Sequence, residues 1–563
     1  MSSIDPITTQ VIRNALRAAA QEMQTSLIKT AHNPLIYEVQ DFGVAMTNHR
    51  GQLISEGSGL PGFLACLPPT IQAGIAAIGA QNFREGDVIL TNEPYDTGTH
   101  ISDTVIYLPI FYEEKLVAFA AIMAHWADIG GIAPGGWCPD STSVHQEGML
   151  FTHHKLYDAG KPNAELLRFI LKNVRYPDLV EGDLHAKIAA CQTGARRYHA
   201  LCDRYGAETL TRAMDIVFEQ SEARMRREIG AIPDGVYQAE TYMDHDGVEI
   251  DKLRKIAVTV TVHGDEMHID WTGTDEVAAG PINHPFVGTE ALCATTLKSL
   301  TMPFDPMNDG HIRPLTVTAP RHTVVSAEYP APCDSYGYVA EAIVHLIIRA
   351  LSTAIPDRCP ACTYQMFAYT FSRTDPRHGD PFIYGEPVDG GSGAFPHDDG
   401  PSGIMFVGNG DAPNTSAEVV ESLYPMLIRR YAINTGDETS HAGVGQYRGG
   451  YGVIRDIEVC TDHVHLQTSN ENTKYTAWGL FGGHNADASH YVLYPDTERE
   501  QVMTERITDY GPLMTGDRLS VRTGGGGGWG DPQKRDPARI AADIRNGLMT
   551  EAQAKAVYGY RES

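Results

Sequence analysis

The sequence predicts an α+β fold, a large mixed α/β subunit of several lobes that ends in a helical hairpin. Three observations lead to this prediction. The chain has 563 residues, which is several domain lengths. Helical periodicity occupies the long stretches 5–31 and 183–229, whereas alternating patterns typical of strands occupy 237–271. Two short helical patterns separated by Gly547 close the chain.

Composition and charge exclude several classes of partner. Hydrophobic residues make up 42% and charged residues 20% of the chain, as in an ordinary folded protein. The 44 Lys and Arg stand against 71 Asp and Glu, and the formal net charge of −27 argues against nucleic acid or an anionic membrane surface as a partner. The N-terminus lacks signal-peptide features, and no apolar run approaches the length that spans a bilayer. We therefore expect a cytoplasmic protein.

The cysteines indicate free thiols. Nine cysteines are few and odd in number for this length, which favours a reducing compartment over a disulfide framework. Only Cys359 and Cys362 have a Cys-x-x-Cys spacing, and neither a second pair nor a thioredoxin-like context accompanies them. We expect no metal or redox site there.

The first lobe is expected to cover about residues 4–232. Asp5-Pro6 begins its first helix, which runs to about Ala31, and Pro68-Pro69 is expected to begin a second helix. Two long helices follow within 183–229.

The second lobe is expected to cover about residues 233–531, and the tail 532–563. Strand patterns open this lobe at 237–242, 256–262 and 267–271. The tail is predicted to form a helical hairpin in which Thr550 and Gln553 make the capping box of the last helix.

Glycine clusters mark the second lobe, at residues 390–393, 398–400 and 524–528. Such clusters can present backbone amides to an anion, but glycine also simply permits tight turns. We favour the structural interpretation for each cluster.

The stretch 91–125 contains the strongest candidates for metal ligands in the sequence. His100 and Asp103 lie in a turn-rich loop, and His125 ends an apolar run that is typical of a buried strand. A tight hairpin through Glu113 and Glu114 would bring the three side chains together. Two imidazoles and a carboxylate suit Zn²⁺, Mn²⁺ or Fe²⁺ and leave a coordination position open for water or substrate. The alternative is a surface histidine, a core histidine and a turn aspartate.

Three further polar residues stand among apolar or turn-forming neighbours. These are Asp41 in YEVQDFG and both His145 and Glu147 in SVHQEG. The irregular segment 129–148 is rich in glycine yet too apolar for a linker, so we expect it to form a wall of the site.

Several motifs are absent from the sequence. There is no G-x-x-x-x-G-K-[ST] phosphate loop and no G-x-G-x-x-G between a strand and a helix, so another chain would have to bind ATP. There is also no G-x-S-x-G elbow, so a hydrolase would more readily use metal-activated water than a nucleophilic serine.

A series of short motifs spans nearly the whole chain, and their order resembles the hydantoinase B/oxoprolinase family. The motifs are DPITTQVIRNAL, YEVQDFG, NEPYDTGTHISD, MAHWADIGG, GDLHAKIAA, GPIN, NDGHIRPL, GQYRGGYGV and TGGGGGWGDP.

The resemblance implies a large α+β subunit of the hydantoinase B/acetone carboxylase type. Such a subunit works with an actin-like, ATP-binding subunit of the hydantoinase A type, in an expected α2β2 hetero-oligomer. The relatives include ATP-dependent hydantoinase, N-methylhydantoinase, caprolactamase, 5-oxoprolinase, and the acetone and acetophenone carboxylases. The partner, with ATP and Mg²⁺, is thought to phosphorylate the substrate's carbonyl oxygen, and this subunit then completes the reaction with metal-activated water.

The resemblance also implies roles for individual residues. The first lobe would bind a divalent transition metal, Zn, Mn or Fe, through Asp41, His100, Asp103 and His125, with His145 as an additional ligand. Glu147 or Asp128 would act as the general base or as the hydrogen-bond partner of a ligating histidine.

The resemblance leaves alternatives for the reaction. The lead prediction is a cyclic amide hydrolase acting on a hydantoin, a lactam or oxoproline. A ketone carboxylase subunit that uses bicarbonate is the second prediction, and a non-catalytic scaffold that docks an ATPase is the third. Lys187 stands in GDLHAKIAA where glutamine is common in relatives, one of several departures that allow for a divergent substrate.

Overall fold

A computed structural model describes residues 4–410, 412–436, 442–471, 473–504 and 506–561 of the chain. The chain divides into two compact units, and both are discontinuous in sequence. Unit 1 comprises Met1–Gln238 and Ala257–Ile343, and unit 2 comprises Ala239–Ile256 and Val344–Ser563. The lobes expected from the sequence are contiguous instead, and their boundary near residue 233 stays a prediction.

Unit 1 contains strands of 2 to 11 residues and helices of 4 to 29 residues. They are α1 (Pro6–Thr30), α2 (Pro34–Tyr37), β1 (Phe42–Asn48), β2 (Leu53–Glu56), α3 (Pro61–Ile78), β3 (Val88–Thr91), α4 (Pro94–Thr97), β4 (Asp103–Tyr112), β5 (Lys115–His125), α5 (Val144–Glu147), β6 (His154–Asp158), β7 (Lys161–Pro162), α6 (Ala164–Asn173), α7 (Pro177–Tyr205), α8 (Ala207–Ile229), β10 (Glu266–Asp270), α9 (Phe286–Thr301) and β11 (Leu315–Thr318). The chain passes between the units within β8 (Gly235–Met243), β9 (Arg254–His263) and α10 (Gly337–Leu351).

A seven-stranded sheet in the order β2-β1-β5-β4-β3-β6-β7 is the centre of unit 1. Its neighbouring strands are antiparallel throughout. Every residue of β1 is buried, as are most residues of β4 and β5. Alternate residues of β4 and β5 share one apolar core with α1, α7 and α8. The middle of this sheet is therefore a rigid support for groups at the strand ends.

The β4–β5 hairpin forms as the sequence predicts. Glu113 and Glu114 make a two-residue turn, and both have positive φ, at 47° and 63°. A turn of this kind matches the twist of the flanking strands and fixes their register. In that register Asp103 lies opposite His125.

The helices that the sequence predicts are present, although one boundary is wrong. Helix α1 begins after its N-cap Asp5, and α7 and α8 fill the stretch expected to hold two long helices. The second helix was expected to start at Pro68-Pro69, but α3 already starts at Pro61, with those two prolines inside it. Pro61 takes the first helical position, where the missing amide hydrogen costs nothing.

Helix α3 also corrects the expectation that no apolar run reaches membrane-spanning length. Its 18 residues, with a mean hydropathy of 1.3, are long and apolar enough to cross a bilayer by length and composition. Half of that window is buried, and α3 packs against α9 and β1. A core helix of a soluble protein passes the same test.

Unit 2 is built mainly from strands. Its elements are β12 (Phe367–Arg373), β13 (Phe382–Pro387), β14 (Gly390–Gly391), β15 (Ser402–Ile404), α11 (Ala417–Leu423), β16 (Met426–Asn434), β17 (Gly452–Val459), β18 (Val464–Asn470), β19 (His490–Leu493), β20 (Gln501–Met503), β21 (Ile507–Leu513), β22 (Arg518–Arg522), α12 (Pro537–Arg545) and α13 (Glu551–Tyr558). Its larger sheets have the orders β13-β12-β18-β21 and β16-β17-β22-β19-β20.

The glycine run 524–528 threads between other glycine-rich segments of unit 2. Gly526 donates to the Gly450 carbonyl at 3.0 Å and accepts from the Gly443 amide at 2.8 Å, and Gly528 donates to the His484 carbonyl at 2.9 Å. A Cβ on Gly526 would lie 1.9 Å from the Ser392 carbonyl oxygen. The run needs glycine for close backbone approach, since none of its members has a positive φ. The run thus has a structural role, but through close backbone packing and not through the tight turns that the sequence suggests.

The C-terminal helical hairpin is confirmed and docks on unit 2. Thr550 and Gln553 form the capping box of α13 that the sequence predicts. Arg535 and Arg448 both pair with the carboxylate of Asp543 on α12, and all three side chains are nearly fully buried. A small apolar cluster covers the two helices.

Candidate metal centre

Three neighbouring strands of the seven-stranded sheet bring polar residues to one end of it. Asp41 directly precedes β1, Asp103 begins β4 and His125 ends β5. Strand β5 lies between β1 and β4 and is antiparallel to both, with Asp103 opposite His125. The His125 amide donates to the Asp41 carbonyl at 3.3 Å. The sheet topology therefore gathers three residues that are far apart in sequence.

His100 joins this group from the turn that precedes β4. Helix α4 ends at Gly98, whose φ of 78° is left-handed. A Cβ on Gly98 would also lie 2.6 Å from the Gly288 amide nitrogen, so both conformation and space require glycine. The Asp103 amide donates to the His100 carbonyl at 3.2 Å and closes the turn.

One nitrogen from each histidine converges on one carboxylate oxygen. His100 Nε2 lies 3.1 Å from Asp103 Oδ1 and 3.2 Å from His125 Nδ1, and His125 Nδ1 lies 3.0 Å from Asp103 Oδ1. At most 6% of any of these side chains is exposed. Within the described part of the chain, no other group of three His, Cys, Asp or Glu side chains brings its ligand atoms so close together.

The charges in this group are strongly coupled. Burial disfavours a charge on His100, but the carboxylates of Asp103, Asp334 and Asp41 together outweigh burial and raise the pKa of the imidazole to about 9. Burial alone would raise the pKa of Asp103, but the neighbouring His100 and His125 outweigh burial and hold this pKa well below its usual range. Burial and the Asp103 charge raise the pKa of Asp41 to about 8. Near neutral pH, a cation that binds here must displace protons from His100 and Asp41.

The donor set fits a divalent transition metal. Imidazole nitrogens and a carboxylate oxygen are the ligands that Zn²⁺, Mn²⁺ and Fe²⁺ share. His100 Nδ1 lies 2.9 Å from the Asp334 carbonyl oxygen, which can only accept a hydrogen bond. The neutral ring therefore carries its proton on Nδ1 and presents Nε2 to a metal, an arrangement common among histidine ligands.

Two aromatic residues that the sequence analysis missed flank the imidazoles. The Tyr336 hydroxyl donates to Asp103 Oδ2 at 3.2 Å, and its ring lies 5.1 Å from that of His100. Trp137 stacks on His125 with centroids 5.4 Å apart and meets His100 edge-on at 5.6 Å. Trp137 belongs to the segment expected to form a wall. No pattern near Tyr336 in the sequence indicates that it contacts the site, since Asp103 lies 233 positions away along the chain.

Glu147 forms hydrogen bonds with the segment 333–334, which contacts His100. Its Oε1 accepts hydrogen bonds from Ser141 Oγ at 2.7 Å, from the Cys333 amide at 2.8 Å and from the Asp334 amide at 3.0 Å. Burial and the nearby Asp334 carboxylate raise the pKa of Glu147 to about 8. Glu147 thus supports His100 through the backbone of Asp334. Its role as a general base stays a prediction.

Asp128 lies in a separate network that folds the glycine-rich segment. It accepts from the Gly135 amide at 2.9 Å and the Gly130 amide at 3.3 Å. It also accepts from the Arg175 amide at 2.7 Å and from Arg175 Nη1 at 3.0 Å. These contacts favour a role in folding the segment, and its role as a base stays a prediction.

The structure places His145 apart from the other predicted ligands. Its side chain is exposed, and its Nε2 hydrogen bonds with the Tyr329 hydroxyl at 2.9 Å. It is not a member of the group formed by His100, Asp103 and His125. A ligand role for His145 would require this surface segment to move.

Comparisons with known proteins agree with the fold. The chain is 30% identical to the B-type subunit of a putative D-/L-hydantoinase from Pseudomonas sp. strain NS671, over 99% of this chain and 95% of that protein. The ATP-dependent caprolactamase of Pseudomonas jessenii superposes with a TM-score of 0.90 at 27% identity, over 100% of this chain and 97% of that chain. The nucleotide-free acetone carboxylase structure has a TM-score of 0.88 at 18% identity over 99% of this chain and 79% of that chain, a likeness of fold alone.

These relatives confirm the predicted fold class and enzyme class. Hydantoinase and caprolactamase are names of cyclic amide hydrolases, and the hydantoinase relative is named as one of the subunits of its enzyme, which implies a partner. The family model described as Hydantoinase B/oxoprolinase matches residues 5–532. The chain therefore belongs to the hydantoinase B/oxoprolinase family.

Proposed function

We propose that this chain is the metal-dependent subunit of an ATP-dependent cyclic amide hydrolase. The observation that carries the proposal is the convergence of His100, Asp103 and His125 in a chain whose relatives bear the names of such hydrolases. The substrate is a hydantoin, a lactam or oxoproline. The sequence contains no phosphate-binding loop, so ATP and Mg²⁺ belong to an ATP-binding partner of the hydantoinase A type.

His100, Asp103 and His125 would hold the cation, with Asp41 as the fourth protein ligand. A bound Zn²⁺, Mn²⁺ or Fe²⁺ supplies Lewis-acid polarisation of a carbonyl group and lowers the pKa of water. Burial and the Asp103 charge disfavour ionisation of Asp41, and a divalent cation bound beside both carboxylates would relieve that repulsion. The identity of the metal depends on its availability as well as on these ligands.

The surrounding residues prepare the ligands for that task. The Asp334 carbonyl fixes the tautomer of His100, and the Tyr336 hydroxyl occupies Asp103 Oδ2 so that Oδ1 faces the two histidines. Burial and the Asp103 charge raise the pKa of Tyr336 well above its usual value, so its hydroxyl keeps its proton and remains a donor. Trp137 covers one side of the imidazoles and shields it from water.

Phosphorylation by the partner explains why one reaction needs both ATP and a metal centre. The carbonyl carbon of an unactivated amide is a poor electrophile, and phosphorylation of the amide oxygen would turn that oxygen into a leaving group. Addition of water to that carbon would be followed by cleavage of the ring C–N bond, with a proton going to the nitrogen, and would leave an acyl phosphate. Hydrolysis of the acyl phosphate by a second water would release phosphate and the carboxylate. A cation held by His100, Asp103 and His125 would supply Lewis-acid assistance to these additions. An α2β2 assembly with this partner, in the cytoplasm, is part of the proposal.

The test is ATP-dependent turnover by the chain purified with its ATP-binding partner. The substrates are hydantoin, caprolactam and 5-oxoproline, and acetone with and without bicarbonate. Ring-opened product without bicarbonate supports the proposal. Carboxylated product that appears only with bicarbonate would contradict it in favour of the ketone carboxylase. Unchanged turnover in His100→Ala would favour the non-catalytic scaffold.

A further inference from the structure

A buried lysine links the two strands that carry Asp103 and His125. Lys187 on α7 is fully buried, and its Nζ donates to the Thr104 carbonyl at 3.0 Å, to Thr104 Oγ1 at 2.6 Å and to the Ala124 carbonyl at 2.7 Å. Thr104 and Ala124 are paired across β4 and β5, directly beside the pair Asp103 and His125. All three N–H groups of the ammonium therefore have acceptors.

Lys187 reaches these strands from the face of the sheet opposite the metal centre. Successive side chains of a strand point to opposite faces, so Thr104 and Ala124 face away from the side that carries Asp103 and His125. Helix α7 packs against β4 and β5, and Ala124 belongs to the core that α7 shares. Lys187 is thus a support behind the site and does not itself point into it.

A second group on the same helix holds the chain that leads to Asp41. One turn before Lys187, Asp183 Oδ1 accepts from the His32 amide at 2.8 Å and from the Asn33 amide at 3.1 Å. Asn33 Nδ2 in turn donates to the His125 carbonyl at 3.5 Å. Gly182 lets the helix approach this turn, because a Cβ there would lie 2.3 Å from His32 Cγ. These contacts account for Gly182, Asp183 and Lys187 of the motif GDLHAKIAA.

A charged group at this depth costs free energy unless the surroundings compensate it. Burial lowers the pKa of Lys187 to about 7, and the carboxylates of Asp183 and Asp103 offset this burial only in part. An uncharged, apolar side chain of similar length would fill the same space without that cost. A lysine is therefore more than is needed for packing between α7 and the sheet.

We infer that Lys187 is a positioning residue for the metal centre, holding Asp103 and His125 at the separation that a cation requires by clamping the adjacent carbonyls. This inference rests on the proposed metal centre. It predicts that metal affinity depends on the hydrogen bonds of Lys187 more than overall stability does.

The experiment measures Zn²⁺ affinity by competition with a chromophoric chelator, using the metal-stripped complex of the chain with its partner. The variants are Lys187→Met, which removes the donors, and Lys187→Gln, which keeps two donors on a shorter side chain. Cys191→Ala is the matched control, because Cys191 lies one turn further along α7 and its Sγ contacts the Ile106 carbonyl of β4 at 3.7 Å. Circular dichroism and melting temperature monitor folding in each variant.

We expect Lys187→Met to weaken Zn²⁺ binding at least about tenfold, in the range found for residues that orient metal ligands. Lys187→Gln should lie between Lys187→Met and the wild type, and Cys191→Ala should stay within about twofold of the wild type. Lys187→Met within twofold of the wild type would overturn the inference. If Lys187→Met does not fold, equal affinities for Lys187→Gln and Cys191→Ala would overturn it.

His100→Ala separates this outcome from a failure of the proposed function. If His100→Ala binds Zn²⁺ as tightly as the wild type, the metal centre itself is wrong. If His100→Ala loses Zn²⁺ while Lys187→Met retains it, the metal centre stands and only the role of Lys187 is wrong.

Discussion

The metal centre of unit 1 and the glycine run 524–528 of unit 2, which packs on other glycine-rich segments and is called the glycine stack below, use buried polar groups in opposite ways. In unit 2, the amides of Gly526 and Gly528 donate to the Gly450 and His484 carbonyls, and the Gly526 carbonyl accepts from the Gly443 amide. In unit 1, side-chain atoms of His100, Asp103 and His125 point at one another within 3.2 Å. The backbone groups of the glycine run form hydrogen bonds with one another's segments. The side chains of His100, Asp103 and His125 instead direct two nitrogens and one oxygen toward one position, where a cation could bind all three.

This difference shows what kind of burial indicates function. Polar groups that satisfy one another contribute to folding and leave nothing for a ligand. Polar groups that converge with coupled charges are costly in isolation and become favourable when a cation joins them. The sequence allows the glycine clusters either to bind an anion or to serve the fold, and Gly526 and Gly528 use their amides for backbone hydrogen bonds of the fold.

The largest expected effect is the loss of the metal centre in His100→Ala. Removal of one of two imidazole ligands should abolish tight metal binding and lower ATP-dependent turnover at least about 1000-fold. Metal content and turnover are measured on the purified complex. His145→Ala is the comparison, and it should change turnover less than about twofold because His145 lies at the surface with Tyr329. Equal losses in both variants would return His145 to the ligand set.

A single methyl group added to the glycine stack should lower the free energy of unfolding. Gly526→Ala places a Cβ 1.9 Å from the Ser392 carbonyl oxygen and 2.4 Å from the Gly393 amide nitrogen, both of them backbone atoms. We expect a loss of more than about 3 kcal/mol in the free energy of unfolding. Gly516→Ala is the control, since its φ is 89° but no atom lies within 4 Å of the new Cβ. It should lose only about 1–2 kcal/mol. Similar denaturant midpoints for the two variants would contradict the stack.

The coupled charges of unit 1 predict how metal affinity depends on pH. His100 has a pKa of about 9 and must lose a proton to bind a metal through Nε2, so the proton and the cation compete. Affinity should fall about tenfold for each pH unit below 9 per proton displaced, and Asp41 adds a second proton below about pH 8. Zn²⁺ competition titrations at several pH values between 6.5 and 9 test this. A flat profile would contradict the charge assignments.

The smallest expected effect is that of Glu147→Gln on turnover, which distinguishes a structural role of Glu147 from a role as general base. Glu147→Gln keeps an oxygen that can accept from Ser141, Cys333 and Asp334, so a residue that only holds this segment should lose less than about tenfold in turnover. A general base would lose at least about 100-fold with the metal still bound. Turnover and metal content of this variant decide between the two roles.

Much of the site was predictable because it depends on local patterns. The apolar run before His125 and the short turn at Glu113 and Glu114 specify a hairpin, and a hairpin fixes which residues face each other. The motifs around Asp41, His100 and His125 also resemble a known family. A hairpin and family motifs together were enough to place the three central residues.

The remaining parts of the site come from tertiary contacts that no local pattern encodes. Tyr336 and Asp334 reach Asp103 and His100 from a distant segment. Lys187 looked like a substitution in a helix motif, and only the packing of α7 on the sheet shows its contacts with the strand ends. The identity of a residue determines which donor and acceptor atoms it has, whereas the partners of those atoms depend on the whole fold.

The most direct test is to return metal to the stripped complex in steps while the rate of ring opening and the bound metal are both recorded. A cyclic amide that the wild-type complex hydrolyses with ATP serves as the substrate. We predict a rate that rises in proportion to occupancy and saturates at about one metal per copy of this chain, because one group of convergent ligands is present in the described residues. A full rate at zero occupancy would contradict a catalytic metal centre at His100, Asp103 and His125.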